Sequence, residues 1–80
     1  MMLGKVIKKH IMLKPTQVQD FVREATKCDF DVDIYYNRYV VDAKSILGVF
    51  GLDLTKTLTV EYNGEDSRFE QYLNGLAALG

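Results

Sequence analysis

The sequence has little of what several classes of protein require. Its 80 residues include one cysteine, one histidine, one proline and no tryptophan. The single cysteine, Cys28, excludes an internal disulfide and is expected to be a buried or half-buried structural thiol. One histidine with one cysteine is too few for a His/Cys metal centre, and the sequence has no glycine-rich phosphate-binding run. We therefore expect no metal, no cofactor and no enzyme activity.

An excess of charge of one sign and long apolar runs are also missing. The formal net charge is −1, so no overall field attracts nucleic acid, and a basic cluster near the N-terminus is interpreted as a solvated strand edge. No run approaches the roughly 18 apolar residues of a membrane span, and the N-terminus shows no signal-peptide core. We expect one cytoplasmic domain over residues 1–80 that contacts neither nucleic acid nor membranes. The basic cluster comprises Lys5, Lys8, Lys9, His10 and Lys14.

Four segments have the alternating pattern or the β-branched content of strands. In the first segment, neither set of alternate residues is consistently apolar. Which residues face the core therefore stays open, and so does the possibility of a bulge or an early end of the strand. Asn37 and Arg38 are predicted to form a tight turn, since asparagine tolerates positive φ. The segments are Leu3–Met12, Asp31–Tyr36, Tyr39–Asp42 and Thr57–Tyr62. The predicted inward residues of the later strands are Val32, Ile34, Tyr36, Leu58, Val60 and Tyr62, and Tyr35, Tyr36 and Tyr39 are interpreted as cross-strand packing.

Three segments predict helices. The first opens at Pro15 and Thr16, where Thr16 and Gln19 have capping-box spacing, and the second runs from Ser45 to Phe50. The third begins at Asp66 or Ser67, and its Gly75 is expected to mark close packing against the sheet. The apolar stripes are Val18, Phe21, Val22 and Ala25 in the first helix and Phe69, Tyr72, Leu73, Leu76 and Ala77 in the third, with Ser67 and Glu70 as a second capping-box pair. The order β-α-β-β-α-β-α predicts an open-faced α+β sandwich with helices on one face of an antiparallel or mixed sheet.

The second helix carries the candidate interaction site. Ser45 follows a strand and precedes an apolar turn, so its hydroxyl is expected to cap the helix, and a phosphate there would be favoured by the helix dipole. The next residues are too apolar for one narrow face of so short a helix. We therefore expect Leu47 or Phe50 to be exposed as part of a contact patch. The apolar residues are Ile46, Leu47, Val49 and Phe50.

His10 is the one candidate phosphoryl acceptor of the histidine type. It lies between Lys9 and Ile11 in a strand-like segment, away from any helix N-terminus that would supply hydrogen-bond donors to a phosphate. An exposed strand histidine is therefore the favoured interpretation. The acidic residues Glu61, Glu65 and Asp66 are interpreted as a solvated loop before a helix cap rather than as a carboxylate site.

The second-helix segment resembles a known family. The run Val41-Asp42-Ala43-Lys44-Ser45-Ile46-Leu47-Gly48-Val49-Phe50-Gly51-Leu52 is similar to the regulatory-serine segment of HPr, the phosphocarrier of the bacterial sugar phosphotransferase system. Phe21–Ala25 resembles HPr's first helix, and Asn63–Asp66 resembles its approach to the last helix. The resemblance covers almost the whole chain and implies a four-stranded antiparallel sheet with three helices on one face. The Lys-Ser-Ile-x-Gly-Val form resembles the version in low-GC Gram-positive bacteria, where a bifunctional kinase/phosphorylase modifies the serine.

The family's phosphohistidine motif is where the chain departs from the resemblance. HPr has a Gly-Leu-His-x-Arg-Pro-like motif before the first helix, and the matching stretch here is Met12-Leu13-Lys14-Pro15-Thr16-Gln17. Lys14 stands at the histidine's place, Thr16 at the arginine's and Gln17 at the proline's. A lysine ammonium has no lone pair with which to accept a phosphoryl group, as a neutral imidazole nitrogen has.

This combination, with the serine kept and the histidine lost, is similar to the catabolite-repression homologue of HPr. The resemblance implies a regulator rather than a carrier, whose Ser45 is phosphorylated. We expect the chain to be a monomer or a weak dimer. The implied partners are a serine kinase/phosphorylase, a transcriptional regulator or phosphotransferase components. The implied partner-binding residues are Ile46, Leu47, Phe50, Thr16 and Lys14.

Two alternatives stay open at this point. In the first, the chain remains a phosphocarrier but uses His10 as its acceptor. In the second, it is a protein-interaction domain unrelated to sugar transport, which self-associates through the exposed apolar helix around Leu47.

Overall fold

The computed structural model describes residues 6–78 of the chain. Its elements follow the predicted order β-α-β-β-α-β-α. Each strand begins or ends within a few residues of the predicted boundary, except that the segment before residue 6 of the first predicted strand lies outside the described residues. The elements are β1 (Ile7–Ile11), α1 (Val18–Thr26), β2 (Val32–Tyr36), β3 (Tyr39–Asp42), α2 (Ile46–Phe50), β4 (Leu58–Tyr62) and α3 (Ser67–Asn74).

The four strands form one antiparallel sheet in the order β1-β4-β2-β3. β1 and β3 are therefore the two edges. β2 and β3 form a hairpin around the predicted turn, where Asn37 has a φ of 55°. Tyr36 and Tyr39 face each other across that turn, as the cross-strand interpretation predicted. The fold expected of an open-faced α+β sandwich is thus confirmed.

The register of β1, which the sequence left open, is decided by its pairing with β4. Ile7 is opposite Tyr62 and Ile11 is opposite Leu58, and the pairing between them is unbroken, so this strand has no bulge. Ile11 is buried, while Lys8 and His10 lie on the opposite, open face. Lys9 shares the inward face and is half-buried, which an edge strand allows because the lysine stem can cover apolar surface while the ammonium reaches water.

The core lies between the sheet and the helices. The apolar stripe of α1 is confirmed, with Val18, Phe21 and Ala25 buried and Val22 half-buried against them. In α3, Phe69 and Leu73 are buried and Tyr72 is half-buried. The buried strand residues are Ile11, Val32, Ile34, Leu58, Val60 and Tyr62, all on the face that the helices cover.

The predicted caps of α1 and α3 are partly wrong. Thr16 does not cap α1, because a 3-10 turn over Pro15–Gln17 comes first. In that turn the backbone N–H of Lys14 donates to Oε1 of Gln17 at 2.8 Å. Several polar side chains near a helix start compete for the backbone donors that have no partner within the helix, so the spacing of Thr16 and Gln19 alone could not settle the cap.

The start of α3 follows the first of the two predicted alternatives. Asp66 is the cap, and its Oδ1 accepts from the N–H groups of Arg68 and Phe69, each at 3.1 Å. The Ser67–Glu70 capping box is therefore wrong.

The packing role predicted for Gly75 is also wrong, because Gly75 is the exposed C-cap of α3. Leu76 and Ala77 lie beyond the helix, where the chain runs beside β1.

Candidate functional site

Ser45 caps α2 as predicted. Its backbone is extended, and its Oγ accepts from the N–H of Gly48 at 3.2 Å. The preceding turn is held by Asp42, whose carboxylate accepts from the N–H of Lys44 at 2.9 Å and whose carbonyl accepts from the N–H of Ser45 at 2.9 Å. These hydrogen bonds hold the exposed serine hydroxyl at the junction of β3 and α2.

More of the side chains after Ser45 are exposed than the sequence predicted. Val49 is the buried residue of α2, and Leu47 is 83 % exposed. The helix lies close to β3 through Gly48, where an added Cβ would stand 3.3 Å from Cβ of Val41. This close approach turns the opposite side of α2 to solvent and creates an exposed apolar patch. The patch comprises Ile46 (40 % exposed), Leu47 and Phe50 (48 % exposed), which we call the α2 patch.

Lys44 has a structural contact that sequence reasoning missed. Its Nζ donates to the carbonyl of Cys28, just beyond α1, at 3.0 Å. This contact ties the start of α2 to the end of α1, although the residues are 16 positions apart. A lysine before a serine is normally read as solvated, and the sequence carries no pattern that would have identified this partner.

Cys28 is the buried thiol that was predicted, at 4 % exposure. Its Sγ lies 3.8 Å from both the Glu24 carbonyl and Oδ2 of Asp66. Burial, and next the negative charge of Asp66, raise the pKa of the thiol to about 11. The thiol therefore stays protonated and weakly nucleophilic at neutral pH.

The start of α1 has a different chemistry from the start of α2. Lys14 and Thr16 are exposed there, and Pro15 has no N–H. The carboxamide of Gln17 accepts the N–H of Lys14, as described above. No hydrogen bond or ion pair within residues 6–78 joins Lys14 or Thr16 to α2, so the structure does not bring these two residues together with the α2 patch through a polar contact.

His10 is the exposed strand histidine that was predicted. It lies on the open face of the sheet, and its Nδ1 is 3.2 Å from Oγ1 of Thr59. The helices cover the other face, so no helix N-terminus within residues 6–78 faces this imidazole.

The acidic residues near α3 have structural contacts of their own. Glu61 lies 3.9 Å from the ammonium of Lys8, and Asp66 is the cap of α3. Within residues 6–78 there is no group of three or more His, Cys, Asp or Glu side chains that could hold a metal ion. No helix in that same range is long and apolar enough to cross a membrane.

Comparison with known proteins agrees with this topology. The chain matches the PTS-HPr family model, described as "PTS HPr component phosphorylation site", over residues 7–79. No curated protein matches the chain. Because the family match spans most of the sequence, the protein belongs to the HPr family, whose members are phosphocarrier components of the sugar phosphotransferase system.

Proposed function

We propose that this HPr-family protein is a regulatory module that is phosphorylated on Ser45 and binds protein partners through the α2 patch, rather than a histidine phosphocarrier. The observation that carries the proposal is the exposed Ser45 hydroxyl beside the three exposed apolar side chains of α2. An exposed apolar cluster next to a modifiable hydroxyl lets one event change both the charge and the contact surface that a partner meets.

The chemistry at Ser45 is a simple phosphoryl transfer. A kinase would move the γ-phosphoryl group of ATP to Oγ of Ser45, the hydroxyl proton would leave, and ADP would be the second product. The product carries about −1.5 to −2 charges beside Ile46, Leu47 and Phe50 at neutral pH. A partner that recognises it would combine an apolar pocket with a cationic group such as an arginine.

The start of α1 supports the same proposal because it offers no suitable phosphoryl acceptor. There Lys14 offers an ammonium, which has no free lone pair for a phosphoryl group. One nearby backbone donor, the N–H of Lys14, is already taken by the carboxamide of Gln17. His10 is exposed on the far side of the sheet, with Thr59 as its hydrogen-bond partner. Neither residue combines an acceptor nitrogen with the donors that would hold a phosphate.

The phosphoserine is tested by incubating the protein with an HPr-type serine kinase and ATP, followed by intact-mass analysis. We expect one added phosphoryl group on the wild type and on Thr16→Ala, and none on Ser45→Ala. An unmodified wild type, or a phosphoryl group that persists in Ser45→Ala, would overturn the serine assignment.

The role of the patch is tested in the same assay with two matched variants. Leu47→Lys removes the most exposed side chain of the α2 patch, and Val40→Lys removes another exposed apolar side chain, on β3. We expect kcat/KM for phosphorylation to fall about tenfold or more for Leu47→Lys, equivalent to about 1.4 kcal/mol, and to change less than about twofold for Val40→Lys. Equal effects of the two variants would argue against docking through α2.

A further inference from the structure

The two edges of the sheet differ in what lies beside them. At the β1 edge, the segment that follows α3 runs alongside the strand. There the carbonyl of His10 accepts from the N–H of Ala78 at 3.0 Å, and the N–H of Met12 donates to the carbonyl of Leu76 at 2.9 Å. At the β3 edge, no strand within residues 6–78 lies beyond β3.

Apart from its shortness and Asp42, the β3 edge has little of the usual protection of an edge strand. Tyr39 is 73 % exposed and Val40 is 58 % exposed, and β3 contains no lysine or proline. Natural edge strands avoid pairing with another chain by being short, by carrying charges or proline, by bulges or by covering segments. An edge with two exposed apolar side chains and no neighbouring strand among the described residues favours pairing with another strand.

The free backbone groups of this edge can be assigned from the hairpin. The N–H of Ala43 donates to the carbonyl of Val32 at 2.8 Å, so these two residues form a hydrogen-bonded pair. In an antiparallel ladder such pairs alternate with pairs that are not hydrogen-bonded. The groups of Val41 therefore point toward β2, whereas the N–H and C=O of Val40 and the N–H of Asp42 point outward from the sheet.

A second copy of the same edge fits these outward groups in one register. If two β3 strands pair antiparallel about a two-fold axis at Val40, each Val40 faces the partner's Val40 through its free N–H and C=O groups. Arg38, in the turn next to β3, would then lie nearest to the partner's Asp42, and the symmetry makes this contact twice. A slip of two residues in one direction would set Arg38 against the partner's Lys44, and a slip of four would set Asp42 against the partner's Asp42. Like charges opposed across a strand pair are destabilising, which disfavours both of these registers. A slip of two residues the other way would set Arg38 against the partner's Val40 and leave Asp42 without a cation, so only the register centred on Val40 pairs Arg38 with the partner's Asp42.

Asp42 lies where a cation at this edge would be favoured. It is directly opposite Asp33 on β2, and Asp33 lies opposite Glu61 on β4, so three carboxylates form a row across the sheet. Lys8 stands at the far end of that row, 3.9 Å from Glu61. Arg38 is exposed and forms no ion pair within residues 6–78. The partner's Arg38 would supply the positive charge that the β3 end of the row lacks.

We propose that the β3 edge is a self-association surface, which pairs with the same edge of a second copy of this chain to join two four-stranded sheets into one of eight strands. The strand is only four residues long, so the interface is of the small, transient class, with an expected Kd on the order of 0.1 to 1 mM. This proposal is independent of the Ser45 function, since it uses different residues and needs no phosphorylation.

The matched variants Val40→Lys and Leu47→Lys test it by sedimentation equilibrium over about 10 µM to 1 mM protein. We expect the wild type and Leu47→Lys to form dimers, and the dissociation constant of Val40→Lys to rise about tenfold or more because two lysines would meet on the axis. A wild type that stays monomeric throughout would overturn the proposal. So would a Val40→Lys variant that dimerises like the wild type, or a loss of dimer in Leu47→Lys alone, which would place the contact on α2.

A charge exchange tests the register. Arg38→Asp should be monomeric because the introduced carboxylate would oppose the partner's Asp42, and Asp42→Arg should be monomeric because two arginines would oppose each other. An equal mixture of the two variants restores an acid opposite a base at both symmetric contacts, so we expect a heterodimer there with wild-type affinity, detected by native mass spectrometry. A mixture that stays monomeric while both variants are folded by circular dichroism would overturn the register. Should Asp42→Arg not fold, because its carboxylate also holds the N–H of Lys44, the pair Arg38→Asp and Val40→Lys still decides the proposal.

Discussion

The starts of α1 and α2 each follow a strand, but they present different chemical groups. α2 begins at a neutral hydroxyl, that of Ser45, with a patch of exposed apolar side chains beside it. α1 is preceded by a lysine ammonium and a proline, and the carboxamide of Gln17 takes the nearby backbone N–H. The start of α2 is also tied to the end of α1 by Lys44, whereas no such polar contact ties Lys14 to α2 within the described residues.

The comparison separates what the family fold supplies from what the residues at each helix start supply. Membership of the HPr family accounts for the sheet and the position of both helix starts. The residues at each start then decide which group can accept a phosphoryl group, because acceptor chemistry depends on a lone pair and on free hydrogen-bond donors. Three predictions test this contrast between the two helix starts and the junction that ties α2 to the end of α1.

The largest effect is expected from introducing a histidine, an arginine and a proline at the start of α1. The triple variant Lys14→His, Thr16→Arg, Gln17→Pro supplies an imidazole, a phosphate-binding guanidinium and a free donor that the carboxamide no longer occupies. We expect it to gain phosphoryl transfer from phosphoenolpyruvate through the general phosphotransferase enzyme, while the wild type takes no label. Lys14→His alone should gain much less. Label on the wild type that disappears in His10→Ala would instead show that the chain is a carrier through His10.

The second prediction concerns the junction between the end of α1 and the start of α2. Burial raises the pKa of Cys28 from its ordinary value of 9.0 to about 11. A thiol whose folded pKa is raised adds stability below its unfolded pKa, and that stability is lost as the pH rises toward the folded value. Between about pH 8 and pH 10.5 we expect the free energy of unfolding to fall by about 1 to 2 kcal/mol on this account.

Urea denaturation of the wild type and of Cys28→Ala measures that loss. Burial also raises the pKa of Tyr62 to about 12, and the charge of the Cys28 thiolate adds to that rise. The difference between the two pH slopes therefore measures the thiol together with its coupling to Tyr62. Equal slopes would show that Cys28 titrates in the folded protein as it does in the unfolded chain.

The smallest expected effect is a difference in folding stability between alanine variants at the two helix starts. Ser45→Ala removes the hydroxyl that accepts from Gly48, and the loss of such a cap costs about 1 kcal/mol. Thr16→Ala removes an exposed side chain that does not cap α1, so its cost should stay below about 0.5 kcal/mol. Urea denaturation at neutral pH compares them, and a larger loss for Thr16→Ala would restore the capping role that the structure denies it.

Much of the fold was predictable because its patterns are local. The stripe of Val18, Phe21 and Ala25 repeats with the helical period, and Leu58, Val60 and Tyr62 alternate with the strand period. The Asn37 turn and the Ser45 cap need only neighbouring residues. The caps of α1 and α3, predicted at Thr16 and at Asp66 or Ser67, could not be settled by spacing, since the choice depends on how the chain enters the helix.

The order of the elements, the buried stripes and the serine at the start of α2 follow from the sequence alone, because they depend on the period of apolar residues and on short-range hydrogen bonds. Four features arise only in the tertiary structure: the inward face of β1, the hydrogen bond from Lys44 to Cys28, the high exposure of Leu47, and the edge at β3 that no strand within residues 6–78 covers. Each of these depends on residues far apart in the chain meeting in one register, and a pattern within a single segment carries no information about which distant segment will lie beside it.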